Sequence, residues 1–515
     1  MKTLALTILL FVLIGGSTGA ARADYTNSIQ AENALPGTTS WFIQTPQQNE
    51  IDGYFGATSY LPGDIATLYA DSHGDPFSYT IYRMGYYQGL GGREVSSGDV
   101  AANSWQPNRT VYDDQPRGAE FMTTGWHPSV SIPLDPSWVS GFYLVKLTDD
   151  YNGGESYANF TLRSPDPAPV VIVFSTNTWQ AYNAWGKLSL YRDMRTTPPT
   201  KKQTDVPHEV SFLRPYGARS GEVGGDKGSV DGKGASAGAG LYFFSDRPLV
   251  EWAESNGYPV SYATDADVRA AVEAGPNTKL VIFSGHSEYH SLAERNEVLR
   301  LSTAGVSAAF FGGNAYAWQA RFGDDNQHHC GADGLQTEMT VWRLAWLDPC
   351  AVTSLKTVRW KTLGLPQSQV TGTMETHGIQ SGPQTALQTS SWPWQGSGLT
   401  DGSPLGRLEG AEFDGIRAKS NDGAHLLILS RTPFAPPAGG VQGGAATQNM
   451  TLWQRTPGAF VFAAGQTGFN RYLSNPIYPT GPSWVDPTYP TTSQVSAPIQ
   501  ILAANLIAHA LGETP

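Results

Sequence analysis

Val170-Val-Ile-Val-Phe174 is five apolar, mostly β-branched residues in a row, set directly after the proline-rich break Ser164-Pro-Asp-Pro-Ala-Pro169. A continuous apolar run is what a strand buried on both faces looks like, as in a parallel sheet covered by helices. Downstream the pattern alternates. Pro248-Leu-Val-Glu-Trp-Ala-Glu-Ser-Asn-Gly257 carries proline near its start and glycine at its end, the punctuation of a helix. Val260-Ser-Tyr-Ala-Thr264, Leu280-Val-Ile-Phe-Ser-Gly285 and Ala308-Ala-Phe-Phe-Gly-Gly-Asn314 read as strands, with helices expected from near Asp265 and over 293–301. Strand–helix–strand repetition implies right-handed crossovers and a mostly parallel sheet. His425-Leu-Leu-Ile-Leu429 and Ala459-Phe-Val-Phe-Ala-Ala464 read as late strands, and 497–511 as a closing helix.

Before the break the pattern is different. Trp41-Phe-Ile43, 51–60, Ala66-Thr-Leu-Tyr-Ala70, Tyr79-Thr-Ile-Tyr82, Gly141-Phe-Tyr-Leu-Val-Lys-Leu147 and 157–162 are short aromatic and β-branched runs. Turn chemistry separates them, in Leu61-Pro-Gly-Asp64 and Asp149-Asp-Tyr-Asn-Gly-Gly154, and the last two runs read as a hairpin. This spacing predicts an immunoglobulin-like β-sandwich. Residues 1–23 read as a signal peptide: Lys2, an apolar stretch over 4–14, then Ala21-Arg-Ala23 as a cleavage site. The expected organisation is therefore a signal peptide (1–23), a sandwich domain (24–165) and an α/β domain (166–515) of the glutamine-amidotransferase-like or flavodoxin-like kind.

The leader predicts a secreted or periplasmic protein with no membrane span after cleavage. In an oxidising compartment Cys330 and Cys350, the only cysteines, are expected to form a disulfide. Metal binding by that pair with His328 and His329 would lack a second ligand pair. The net charge of −12 gives no electrostatic reason to expect nucleic acid. With only 15% charged residues but 57 Gly, 35 Pro and 15 Trp, the composition suits a turn-rich globular chain and not a disordered one.

In open α/β sheets, sites gather at the carboxyl ends of strands. Three such ends are rich in polar groups here: Ser175 to Asn183 with Tyr191 shortly after, Ser284-Gly-His-Ser-Glu-Tyr-His290, and Gly312-Gly-Asn314. His286-x-Glu288-x-His290 could be read as a zinc site, but metalloprotease histidines need one helical turn between them and Gly285 argues for a loop. Gly234-Ala-Ser-Ala-Gly238 matches the serine-hydrolase elbow, yet it lies in a glycine-rich loop (217–240) with no strand before it.

Thr178-Trp-Gln-Ala-Tyr-Asn-Ala-Trp-Gly186, Ser189-Leu-Tyr191, Ser284-Gly-His-Ser-Glu-Tyr289, Phe310-Phe-Gly-Gly-Asn314 and Ala411-Glu-Phe-Asp-Gly415, in this order, resemble the large (beta) subunit of N,N-dimethylformamidase and its relatives. Tyr79-Thr-Ile-Tyr-Arg-Met-Gly-Tyr-Tyr-Gln-Gly-Leu-Gly-Gly-Arg93 resembles the sandwich domain of secreted members. The resemblance implies a metal-dependent hydrolase of small amides or formamides, with a mononuclear ferric ion (Fe3+) held by two tyrosinates and a carboxylate. By position these are Tyr182, Tyr191 and Glu288; zinc is the alternative metal. It further implies that His286 and Asn314 line the substrate pocket and that Glu412 stands where the family has a candidate base. Hard oxygen donors suit ferric iron, and three protein ligands leave positions for water and substrate. A small partner subunit is implied as well, and a homo-oligomer stays open. The competing reading is a non-catalytic, exported carbohydrate- or surface-binding protein, with Trp392, Trp394 and Trp484 as stacking platforms.

Overall fold

The computed structural model describes residues 28–45, 50–102, 105–107, 110–114, 119–195, 204–217, 238–270, 277–323, 330, 337–377, 380–410, 412–416, 426–434, 447–455, 458–476 and 495–514. Residues 1–23, read above as a signal peptide, the Gly234–Gly238 motif apart from its last residue, His328, His329 and Trp484 lie outside them.

The first strands are β1 (Asp52–Phe55), β2 (Ser59–Tyr60), β3 (Ile65–Asp71), β4 (Phe77–Met84), β5 (Gly92–Val100), β6 (Val130–Pro133), β7 (Gly141–Asp149) and β8 (Glu155–Leu162). They make two sheets, β1-β3-β6 and β2-β8-β7-β4-β5, and the expected β7–β8 hairpin is antiparallel over its whole length. Strand β3 buries every second residue, the period of a strand with one face on a core. Phe55, Leu68 and Ile132 from one sheet meet Ile81, Val145 and Phe160 from the other in one apolar cluster. The Trp41-Phe-Ile43 run is not a strand. Its backbone turns, and Trp41 instead stacks on Phe243 at 5.5 Å, inside the core of the following region.

That region is built on one sheet: β9 (Val170–Phe174), β10 (Val260–Thr264), β11 (Leu280–Ser284), β12 (Ser307–Phe311), β13 (Gln380–Ala386), β14 (Pro404–Gly410), β15 (Leu426–Pro433), β16 (Thr447–Gln454) and β17 (Phe460–Ala463). Their order is β10-β9-β11-β12-β17-β16-β15-β13-β14. Neighbours from β10 to β17 pair in parallel, and from β17 to β14 antiparallel. The expectation of a mostly parallel sheet therefore holds for one half only. Parallel neighbours need a crossover, usually a helix, whereas antiparallel neighbours need only a short turn. The described residues between 380 and 463 include no α-helix, and β16 and β17 are separated by five residues.

Strands β9 to β12 are wholly buried. One face carries Ile172, Phe174, Ile282 and Phe311 against helices α2 (Arg247–Ser255) and α4 (Ala497–Ala510); the other carries Val171, Val173, Val281 and Phe283 against α3 (Leu292–Thr303). Residues Met84, Phe142 and Tyr157 of the smaller sheets join the first of these clusters, and the buried Arg83–Glu254 ion pair (2.7 Å) crosses the same junction. In chain order the parallel strands run second, first, third, fourth, fifth. The winding direction thus reverses between β9 and β11, and the crevice at such a reversal is where ligands bind.

Cys330 and Cys350 are joined in a disulfide with Cα atoms 5.1 Å apart, 20 positions apart in sequence. A loop of this size predicts that Cys350→Ser lowers unfolding free energy by about 3 kcal/mol. Denaturant unfolding with and without reductant checks this, and equal midpoints would contradict it. Among the described residues no helix is long and apolar enough to cross a membrane.

Candidate metal centre

Two glycines bring the strand ends together. After β11 the chain turns through Gly285 with φ of 62°, and after β12 it passes Gly312, where an added Cβ would lie 1.6 Å from the Gly285 carbonyl oxygen. Only glycine lets these loops touch. A Cβ on Gly313 would meet the Glu412 carbonyl oxygen at 2.8 Å, so the segment carrying Glu412 is seated directly on the β12 loop. Helix α1 (Thr176–Tyr182) leaves the end of β9 and delivers Tyr182, and Tyr191 sits in the turn between the short paired strands Leu188–Ser189 and Arg192–Asp193.

All six residues singled out from the sequence meet here. The Tyr182 and Tyr191 hydroxyls donate to Glu288 Oε2 at 2.8 and 3.0 Å, and their rings stack at 4.3 Å. Glu288 Oε1 accepts from Asn314 Nδ2 at 3.0 Å and from Trp318 Nε1 at 2.9 Å, while the Glu288 backbone N–H donates to Thr178 Oγ1. His286 Nε2 lies 3.0 Å from Glu412 Oε2 and 3.5 Å from Glu288 Oε2. Asn314 Nδ2 also donates to Glu412. Asn314 has a left-handed backbone, φ of 52°, a conformation non-glycine residues hold chiefly where surroundings enforce it. His286, Glu288 and Glu412 each offer one ligand atom, all within 4.8 Å of one another.

His290, the second histidine of the zinc-like pattern, points elsewhere. Its ring stacks on Tyr316 at 3.6 Å and its Nε2 lies 2.9 Å from Ser287 Oγ; burial depresses its pKa to about 3 and keeps it neutral.

The electrostatics divide the two acids. Burial and the neighbouring Glu412 charge push Glu288 up. Burial also acts to raise Glu412, but His286 and the hydrogen bonds from His286 and Asn314 outweigh it and hold that carboxyl below its usual range. Burial, then the Glu288 charge, push both Tyr182 and Tyr191 well above the ordinary phenol value.

Asp246 lies beneath the Gly285 turn, its Oδ1 3.5 Å from where a Cβ would be. Ser245 Oγ donates to its Oδ2 at 2.5 Å, and burial lifts its carboxyl to about 7. A folded-state pKa above the unfolded one makes the stabilisation complete below about pH 4 and lost as pH rises through 7. Raising the pH from 5 to 8 should cost about 2.5 kcal/mol through this group. Asp246→Asn should remove that slope in denaturant unfolding at the two pH values. An identical pH dependence in the variant would contradict the assignment.

Sequence reasoning missed Trp318, Tyr289 and Arg343. Arg343 Nη2 donates to the Tyr289 hydroxyl at 3.0 Å, and the Tyr289 and Tyr191 hydroxyl oxygens are 2.5 Å apart. Tyr289 adjoins Glu288 and was within reach of inspection; nothing in the pattern around Arg343 marks it.

The family described as N,N-dimethylformamidase beta subunit-like, C-terminal, matches residues 78–481. The chain belongs to this family. The match spans the residues from Tyr182 to Glu412 that meet in this cluster. No curated protein matches the chain. Among solved structures, murine CEACAM1b is 12% identical over 24% of this chain and 62% of its own, with a TM-score of 0.13. A Bacteroides uniformis beta-glucuronidase is 7% identical over 81% of this chain and 62% of its own, also at 0.13. The chain thus spans less than two thirds of either structure, and neither likeness carries an argument.

Proposed function

We propose that the chain hydrolyses carbon–nitrogen bonds of small non-peptide amides, formamides among them, at a ferric ion held by Tyr182, Tyr191 and Glu288. The observation that carries this reading is the convergence of two phenol oxygens on one carboxylate oxygen at 2.8 and 3.0 Å. These separations suit hydrogen bonds and neighbouring ligands of a small hard cation alike. An all-oxygen donor set with two phenols favours ferric iron over zinc, which prefers nitrogen and sulfur. When bound, the ion supplies Lewis acidity, polarising an amide carbonyl and acidifying water.

The remaining residues have separable tasks. Glu412, kept ionised beside His286, is placed to take a proton from water, and His286 to orient that carboxylate or pass the proton on. Asn314 Nδ2, between the two glutamates, is an amide donor placed to steady an oxygen gaining charge. In this reading residues 1–23 are a signal peptide, 24–165 an immunoglobulin-like module and 166–515 the catalytic domain of a secreted or periplasmic enzyme. The family description names a subunit, which supports a small partner subunit or a homo-oligomer. Two of the three tryptophans named for the carbohydrate-binding alternative are engaged within the fold: Trp394 is buried with its Nε1 on the Leu387 carbonyl, and Trp392 stacks on His509 at 4.0 Å.

The test is amine release from a panel of small formamides and acetamides by protein purified without chelators. Turnover that scales with bound iron is the expected result. Iron-loaded protein that releases no amine from any member, yet binds polysaccharide, would return the chain to the non-catalytic reading.

A further inference from the structure

We infer that Arg343 and Tyr289 are positioning residues that hold and polarise the Tyr191 oxygen, making the two tyrosines of the centre chemically unequal. This rests on the proposal that Tyr182, Tyr191 and Glu288 hold iron. A guanidinium can only donate. The Tyr289 oxygen therefore accepts from Arg343 Nη2 at 3.0 Å, and its own proton is left for Tyr191 at 2.5 Å. Tyr191 in turn reaches Glu288 Oε2 at 3.0 Å, so one directed chain of donors runs from a cation to the carboxylate. The same guanidinium lies 3.8 Å from the centre of the Tyr191 ring, within cation–π range. Both contacts draw electron density from that ring. Tyr182 has neither: it stacks on Tyr191 and meets Glu288, and among the described residues no arginine or lysine stacks on it or hydrogen-bonds to it.

The backbone supports a placed rather than incidental arginine. Arg343 is buried and adopts φ of 63°, and its N–H is anchored to the Thr357 carbonyl at 2.8 Å. A long side chain in the left-handed region costs energy, which tends to be retained where function needs the geometry.

The experiment loads the full chain with ferric iron and records the position of the tyrosinate-to-iron absorption band in wild type, Tyr289→Phe, Arg343→Met and Arg343→Lys. Losing the donor raises the energy of the Tyr191 electrons. The band should move to longer wavelength in Tyr289→Phe and Arg343→Met, and less in Arg343→Lys. Iron affinity should fall about 10- to 100-fold in the first two, as is usual when partners of a ligand are removed. Tyr289→Phe deletes one oxygen from a filled site, so it decides the matter even if the arginine variants do not fold. If wild type shows the band and Tyr289→Phe keeps both its position and the affinity, this inference is overturned alone. If wild type binds iron with no visible band, the centre itself is overturned and the inference with it.

Discussion

Glu288→Gln is expected to give a folded chain that holds no iron and releases no amine. Four donors converge on this side chain: two phenols on Oε2, and the Asn314 amide and Trp318 indole on Oε1. A glutamine oxygen can accept only part of that set, and its NH2 group would face donors with nothing to offer them. More importantly, the substitution removes the one acidic group that both phenols reach. Removing outer partners of metal ligands typically costs about 10- to 100-fold, so loss of the carboxylate ligand should exceed about 100-fold in affinity and in activity. Because the side-chain volume is conserved, circular dichroism should show wild-type fold. Metal analysis and amine release on one preparation check both halves of the statement. A Glu288→Gln protein with one iron per chain and ordinary turnover would contradict it.

Glu412→Gln should separate chemistry from metal binding. Glu412 touches His286 and Asn314 but neither tyrosine hydroxyl among the described contacts, so iron content and the visible band should stay near wild type. A positioned base typically contributes about 10²- to 10⁴-fold, and kcat should fall by that order. The pH profile carries the sign. His286 and Asn314 hold the Glu412 carboxyl below its usual range, so the wild-type rate should stay flat through neutral pH and drop only on strong acidification. In the variant that acidic limb should vanish along with most of the rate. Retention of the limb at a reduced rate would place the base elsewhere.

The parts of this arrangement that were legible in the sequence are those fixed by short-range rules. Unbroken apolar runs at 170–174, 280–283 and 308–311 announced doubly buried strands, and the polar residues straight after them were bound to sit at the sheet's carboxyl edge. That logic reached Tyr182, His286, Glu288 and Asn314. Tyr191 lay further downstream of the first strand end and was singled out through its Ser189-Leu-Tyr191 block, and Glu412 came only from Ala411-Glu-Phe-Asp-Gly415. What was illegible depends on distant partners. The antiparallel half of the sheet arises from which strand finds which neighbour across 380–463, a choice that periodicity does not encode. Trp41 has the composition of a strand yet serves as a wedge between the two regions. Trp318 and Arg343 act on Glu288 and Tyr191 from 30 and 152 positions away in sequence, and only the closed fold makes them neighbours.

The most direct measurement is the metal content and visible spectrum of the chain purified without chelators, set beside Tyr182→Phe and Tyr191→Phe. The account predicts one ferric ion per chain and a coloured protein, with a single phenylalanine substitution weakening the colour and the double substitution abolishing it. Stoichiometric zinc, or a colourless iron protein indifferent to both substitutions while amide hydrolysis continues, would contradict it.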